Sequence, residues 1–197
     1  MRSDQAGNPR VVRSGDPRAS VGLTDRLCTR CGLCCDGSLF ADVELAGRAE
    51  AMGLEAMGLE IEDEDADGSL LPQPCVAQRR RRCRIYAHRP RCCRAFECRL
   101  LQDVRRGVTG VDRAGELVAG ARERIGRMKE LLARLGQRDE RLPLNERCVE
   151  ALSRGAGSDP EVTRDRAELE AAMSAVEGLL RTRFLGGGDE RGAARRR

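Results

Sequence analysis

Aromatic residues are nearly missing from this chain: it has no Trp, one Tyr (Tyr86) and three Phe (Phe40, Phe96 and Phe184) in 197 residues. A large aromatic core is therefore excluded, and a small core short of such bulk needs a staple, of which bound metal is one kind. Lysine is just as scarce, since Lys129 is the only one among 36 basic residues. Arginine in place of lysine throughout reads as compositional bias, so its abundance is weak evidence for a nucleic-acid partner. Stacking aromatics, which polynucleotide grooves combine with basic charge, are wanting as well. No stretch approaches the ~18 apolar residues of a membrane span, and the N-terminus has no apolar run like that of a signal peptide. These absences point to a cytoplasmic protein with no membrane association and disfavour nucleic acid.

What the chain has instead is cysteine, ten in all. Four fall in the stretch CTRCGLCC, at Cys28, Cys31, Cys34 and Cys35. A second group follows at Cys75, Cys83, Cys92, Cys93 and Cys98, and Cys148 stands apart. In a reducing compartment clustered thiols point to metal ligation or redox chemistry rather than structural disulfides. Thiolate sulfur suits zinc, copper(I) and iron–sulfur clusters. A C-x-x-C step lets two thiolates reach one ion, and Gly32 permits the tight backbone between them. Cys28, Cys31 and Cys34 resemble the opening of a bacterial ferredoxin run, in which a remote cysteine completes the cluster. Cys34 and Cys35 are adjacent and diverge, so two sites or one polynuclear site would use them better than a single tetrahedral ion. Cys148 reads as a core residue on an apolar helix face, Cys92 as a spare beside Cys93, and His88 as a surface residue.

Arg79 to Arg82, Arg84, Arg89, Arg91, Arg94 and Arg99 crowd the second group against one acid, Glu97. They suit the negative charge of a thiolate centre. A basic nucleic-acid patch and a solvated loop are the competing readings.

Both signatures resemble the YkgJ-type cysteine-cluster family, whose CxxCxxCC domain is described as chelating zinc or iron. The first comprises Cys28, Cys31, Gly32, Cys34 and Cys35. The second runs from Pro74 and Cys75 through Cys83, Ile85, Tyr86, Arg89, Pro90, Cys93, Arg94 and Phe96 to Cys98. The resemblance spans about 25–100 and implies eight metal ligands: Cys28, Cys31, Cys34, Cys35, Cys75, Cys83, Cys93 and Cys98. Some related proteins are lysine methylases acting on flagellin. This chain has no glycine-rich cofactor motif, so that activity is not carried over, and no catalytic residue is assigned.

The expected architecture is mainly α with irregular loops: a small metal-stapled domain at 23–104 and a helical extension at 110–185. Flanking segments, 1–22 and 186–197, read as disordered. Asp42 is expected to cap a short helix through Val43, Ala46, Ala49 and Met52, with SLLPQP (69–74) extended. The acidic run 61–68 reads as a solvated loop. Leu117, Ala121, Ile125, Met128, Leu132 and Leu135 mark one helix face over 112–135. Asn145 is expected to cap a helix carrying Cys148, Val149 and Leu152. Asp159 and Pro160 open the last helix, faced by Val162, Leu169, Met173, Val176, Leu180 and Phe184. The expected cofactor is an iron–sulfur cluster or Zn2+, iron slightly favoured. A redox component and a metal-structured module for a protein or nucleic-acid partner are the alternative functions.

Overall fold

The computed structural model describes residues 22, 26–64, 68–155 and 159–186. Apart from Gly22 and Gly186, the two flanking segments expected to be disordered lie outside these residues. The architecture is mainly α, with short strands and irregular loops in its N-terminal half. Among the described residues no helix is long and apolar enough to cross a membrane.

Helix α1 occupies 26–31 within the described chain. Strands β1 (Asp42–Glu44), β2 (Glu62–Glu64) and β3 (Gly68–Pro72) form an antiparallel sheet in the order β1-β3-β2. Val43 lies opposite Leu71, and Glu62 opposite Leu70. Helix α2 (Arg48–Glu55) lies between β1 and β2. Together they enclose a small core of Leu45, Ala51, Leu54, Leu59, Leu71 and Ala77.

Two expectations fail here. Residues 42–44 are a strand, because pairing with β3 satisfies their backbone; Asp42 caps no helix. The helix begins after Gly47 and buries Ala51 and Leu54, leaving Met52 57% exposed. The acidic run contributes Glu62–Glu64 to the sheet rather than remaining a loop, and 65–67 lie outside the described residues.

A two-stranded ribbon follows, β4 (Gln78–Arg79) and β5 (Arg82–Cys83). Its central residues, Arg80 and Arg81, have φ of 48° and 69°. Two-residue hairpins of this twist require positive φ at both positions, which Asn-Gly usually supplies. Helix α3 (Arg91–Ala95) and helix α4 (Arg99–Arg105) complete the cysteine region.

Three longer helices follow: α5 (Val111–Arg134), α6 (Leu144–Ser153) and α7 (Pro160–Leu180). The α5 face buries Ala114, Val118, Ala121, Ile125, Met128, Leu131 and Leu132. Asp159 caps α7, accepting from the Glu161 N–H at 2.8 Å, with Pro160 in the first turn. Arg134 on α5 donates to both carboxylate oxygens of Asp165 on α7, at 2.8 and 3.2 Å. A π-helical turn, Arg181–Leu185, delivers Phe184 into the core. Helix α6 starts two residues earlier than expected, with Pro143 rather than Asn145 at the cap position. The Leu144 N–H donates to the Gly37 carbonyl at 2.9 Å, so a distant loop satisfies that donor and Asn145 is no cap. Cys148 is wholly buried on this helix, whereas Val149 is 57% exposed.

The larger core is not confined to these helices. Leu27, Leu33, Leu100, Leu101 and Val104 from the cysteine region share it with α5, α6, α7 and Phe184.

Candidate metal centre

The first cysteine group is built on a turn. Helix α1 presents Cys28 and Cys31 and ends at Gly32, whose φ is 75°. The Cys35 and Asp36 N–H groups both donate to the Gly32 carbonyl, at 3.0 and 3.1 Å. Glycine is required here on two counts. The backbone is left-handed, and a Cβ would stand 2.8 Å from Gln78 Nε2 and 3.4 Å from Arg81 Cβ. The arginine ribbon therefore lies directly over the turn, with Gln78 Nε2 donating to the Gly32 carbonyl at 3.0 Å. Leu33, 1% exposed, anchors the same turn in the larger core.

The second group is brought to the first by backbone. The Cys75 N–H donates to the Cys35 carbonyl at 2.9 Å. Cys83 closes the ribbon in β5, and Cys92 and Cys93 sit on α3. Glu50 of α2 fixes the start of α3, accepting from the Arg91 N–H at 2.7 Å with one oxygen and from the Ala46 N–H at 2.8 Å with the other. Cys98 precedes α4, whose Leu100, Leu101 and Val104 are buried in the larger core. Phe40 and Phe96 meet edge to face, 5.1 Å between centroids.

These elements surround a cavity of about 880 Å³ lined by nine thiols: Cys28, Cys31, Cys34, Cys35, Cys75, Cys83, Cys92, Cys93 and Cys98. Cys148 and His88 are not among its walls. The sulfurs stand around the space rather than meeting at a point. Among the described residues no three His, Cys, Asp or Glu side chains are gathered tightly enough to hold one ion.

The thiols fall into two neighbourhoods. Cys31 and Cys98 pack against the larger core, and Cys75 and Cys92 against the smaller one. Charge interactions favour the same division without being confined to it. Cys28, Cys31 and Cys34 are each acted on by Cys98; Cys35 is acted on by Cys75 and Cys83 ahead of Cys28, and Cys93 by Cys35 and Cys75. The adjacent Cys34 and Cys35 stand at the seam, where they also repel one another's charge.

Burial dominates the acid–base behaviour of these groups. It pushes Cys28 up to about 11 and Cys31 and Cys35 up to about 12, and it raises Cys34, Cys75 and Cys98. Arg89 and Arg105 pull Cys28 the other way but do not overcome desolvation. The vicinal pair behaves differently. Cys92 and Cys93 share a hydrogen bond at 4.0 Å, which holds Cys92 down near 7 and raises Cys93.

Arg81, Arg89, Arg91, Arg94 and Arg105 also line the cavity. Arg89 stacks 3.8 Å above the Tyr86 ring and donates to its carbonyl at 3.2 Å. Arg105 pairs with Glu97 at 2.6 Å. One further arginine comes from outside the cysteine region and was not legible beforehand. Arg122 of α5 donates to the Cys31 carbonyl and lies 3.7 Å from Asp36. Nothing in its local sequence distinguishes it from other arginines on that helix.

The match to known families covers this region. Residues 27–113 match the family model CxxCxxCC, described as "Putative zinc- or iron-chelating domain". No curated protein and no solved structure matches the chain.

Proposed function

We propose that residues 27–113, which match the CxxCxxCC family model, hold iron as an iron–sulfur cluster through eight cysteines arranged as two four-thiol sets. Cys28, Cys31, Cys34 and Cys98 make one set; Cys35, Cys75, Cys83 and Cys93 make the other. The reading rests on the two thiol neighbourhoods, each backed by its own core. The first set completes the ferredoxin-like triplet with a remote cysteine. Soft thiolates suit iron–sulfur and zinc alike; the triplet favours iron. The cavity arginines offset the negative charge that four thiolates leave on such a centre. An iron–sulfur cluster would supply one-electron chemistry, which makes an electron-transfer component the corresponding biological role. The helices at 110–185 buttress the domain at 23–104 through the shared core.

The test is anaerobic purification of the full chain, followed by metal analysis and visible absorption. Brown protein that bleaches on reduction supports iron. Colourless protein carrying zinc replaces the redox role with a metal that shapes a surface for a protein partner. Cys31→Ser should remove one set's metal, and adding Cys98→Ser should remove no more. Adding Cys75→Ser instead should remove the rest, while Cys148→Ser should leave metal unchanged. Complete loss from every single variant would refute the division into two sets.

A further inference from the structure

A second cavity, of about 180 Å³, lies where the first cysteine loop meets α5 and α6. Its charged walls are Asp36, Lys129, Glu140 and Arg147. Arg147 belongs to the first turn of α6 and is 4% exposed, and its Nε has no hydrogen-bond partner among the described residues. A buried guanidinium nitrogen left without a hydrogen-bond partner is unfavourable. Lys129 faces the same space from α5, and no side-chain hydrogen bond or ion pair engages it among the described residues. It is the one position where this arginine-rich chain carries lysine. The start of α6 adds a third positive element. Pro143 offers no side chain to cap it, and Leu144 of its first turn also lines the cavity. The carboxylates nearby are engaged elsewhere or exposed, and Asp139, on which the Arg147 charge acts, is itself paired with Arg141 at 2.9 Å. Asp36 accepts from the Ser38 N–H at 3.1 Å and lies 3.7 Å from Arg122, while Glu140 is exposed to solvent.

We propose that this cavity binds a small oxyanion, phosphate or carboxylate, between the Arg147 guanidinium and the Lys129 ammonium at the start of α6. Guanidinium forms paired hydrogen bonds to such oxygens, ammonium acts as a point charge, and helix N-termini favour anions. At ~30 Å³ per liquid water, the space admits an oxyanion with accompanying water. A bound anion would bridge α5 and α6 through Lys129 and Arg147.

The experiment is calorimetric titration of the purified full chain with inorganic phosphate, and separately with acetate, at constant ionic strength against chloride. Saturable one-to-one binding of either ion is expected, and comparing the two arms identifies the oxyanion class. Lys129→Gln, at a half-buried position, should weaken it at least tenfold, and Arg147→Lys should weaken it as well. If Arg147→Lys does not fold, Lys129→Gln alone decides. Absence of saturable binding by both ions would overturn the proposal and leave Arg147 to water. So would binding that Lys129→Gln does not change.

Discussion

Replacing Leu33 by Ala tests whether the cysteine turn is held by the helical core. Leu33 lies between Cys31 and Cys34, is 1% exposed, and belongs to the larger core rather than to the walls of the thiol cavity. The change removes three carbons, worth ~2.4 kcal/mol at ~0.8 kcal/mol each. The space left behind adds ~24 cal/mol per Å³ of residual cavity. A turn beside an open cavity can relax partly into the gap, so a loss of ~3 kcal/mol is expected, within the ~2–5 kcal/mol range of such substitutions. Set against a typical total of ~5–15 kcal/mol, that is a large fraction. Met52→Ala is the control in the same region. Met52 is 57% exposed, and its loss should stay within ~0.5 kcal/mol. Urea unfolding of both variants, with metal analysis of the same samples, reads the outcome. Leu33→Ala should lose stability and retain less metal, and Met52→Ala should do neither. A loss below ~1 kcal/mol for Leu33→Ala, with full metal content, would refute the idea that the core grips the turn.

Two other outcomes follow from the geometry. Gly37 has φ of 72°, and a Cβ there would meet Pro143 Cα at 3.1 Å and Pro74 Cγ at 3.1 Å; Gly37→Ala should therefore cost ~1–3 kcal/mol in urea unfolding, and wild-type stability would show that the loop and α6 do not press together as described. Burial in the helical core pushes the Cys148 thiol up to about 11 from the ordinary 9.0. The folded chain thus holds its proton where the unfolded chain releases it. This contribution is intact below pH 9 and is lost between pH 9 and 11, at up to ~1.4 kcal/mol per pH unit. Cys148→Ala should flatten the alkaline decline of the metal-loaded protein, and an unchanged slope would refute the burial argument.

Spacing was the most legible signal. Thiols three residues apart in CTRCGLCC, with a second group downstream, pointed to two metal sites or one polynuclear site, and nine thiols line one cavity. Helical faces were also readable, because 3.6-residue periodicity survives whatever covers the face. The Asp159–Pro160 opening of α7 was readable for a related reason, since both residues act locally. What failed depended on remote partners. Three-residue strands such as β1 carry no periodicity, and Asp42 pairs with Pro72 across an intervening helix. Asn145 looked like a cap because nothing nearby reveals that the Gly37 carbonyl takes the Leu144 N–H. The apolar stripe of α5 told which side is buried, but not that Leu27 and Leu33 help to cover it.

The bond between Gly37 and Leu144 also has a consequence for the order of events during synthesis. Its two ends are separated by about a hundred residues, which take roughly 5–20 s to translate at ~5–20 residues per second. Throughout that interval Cys28, Cys31, Cys34 and Cys35 have been made, while the helix that holds the Gly37 end of their loop has not. The nascent chain thus passes through a stage in which the four thiols sit on a loop not yet tied to α6. Any metal taken up during that stage meets a first cysteine group with one of its anchors still missing.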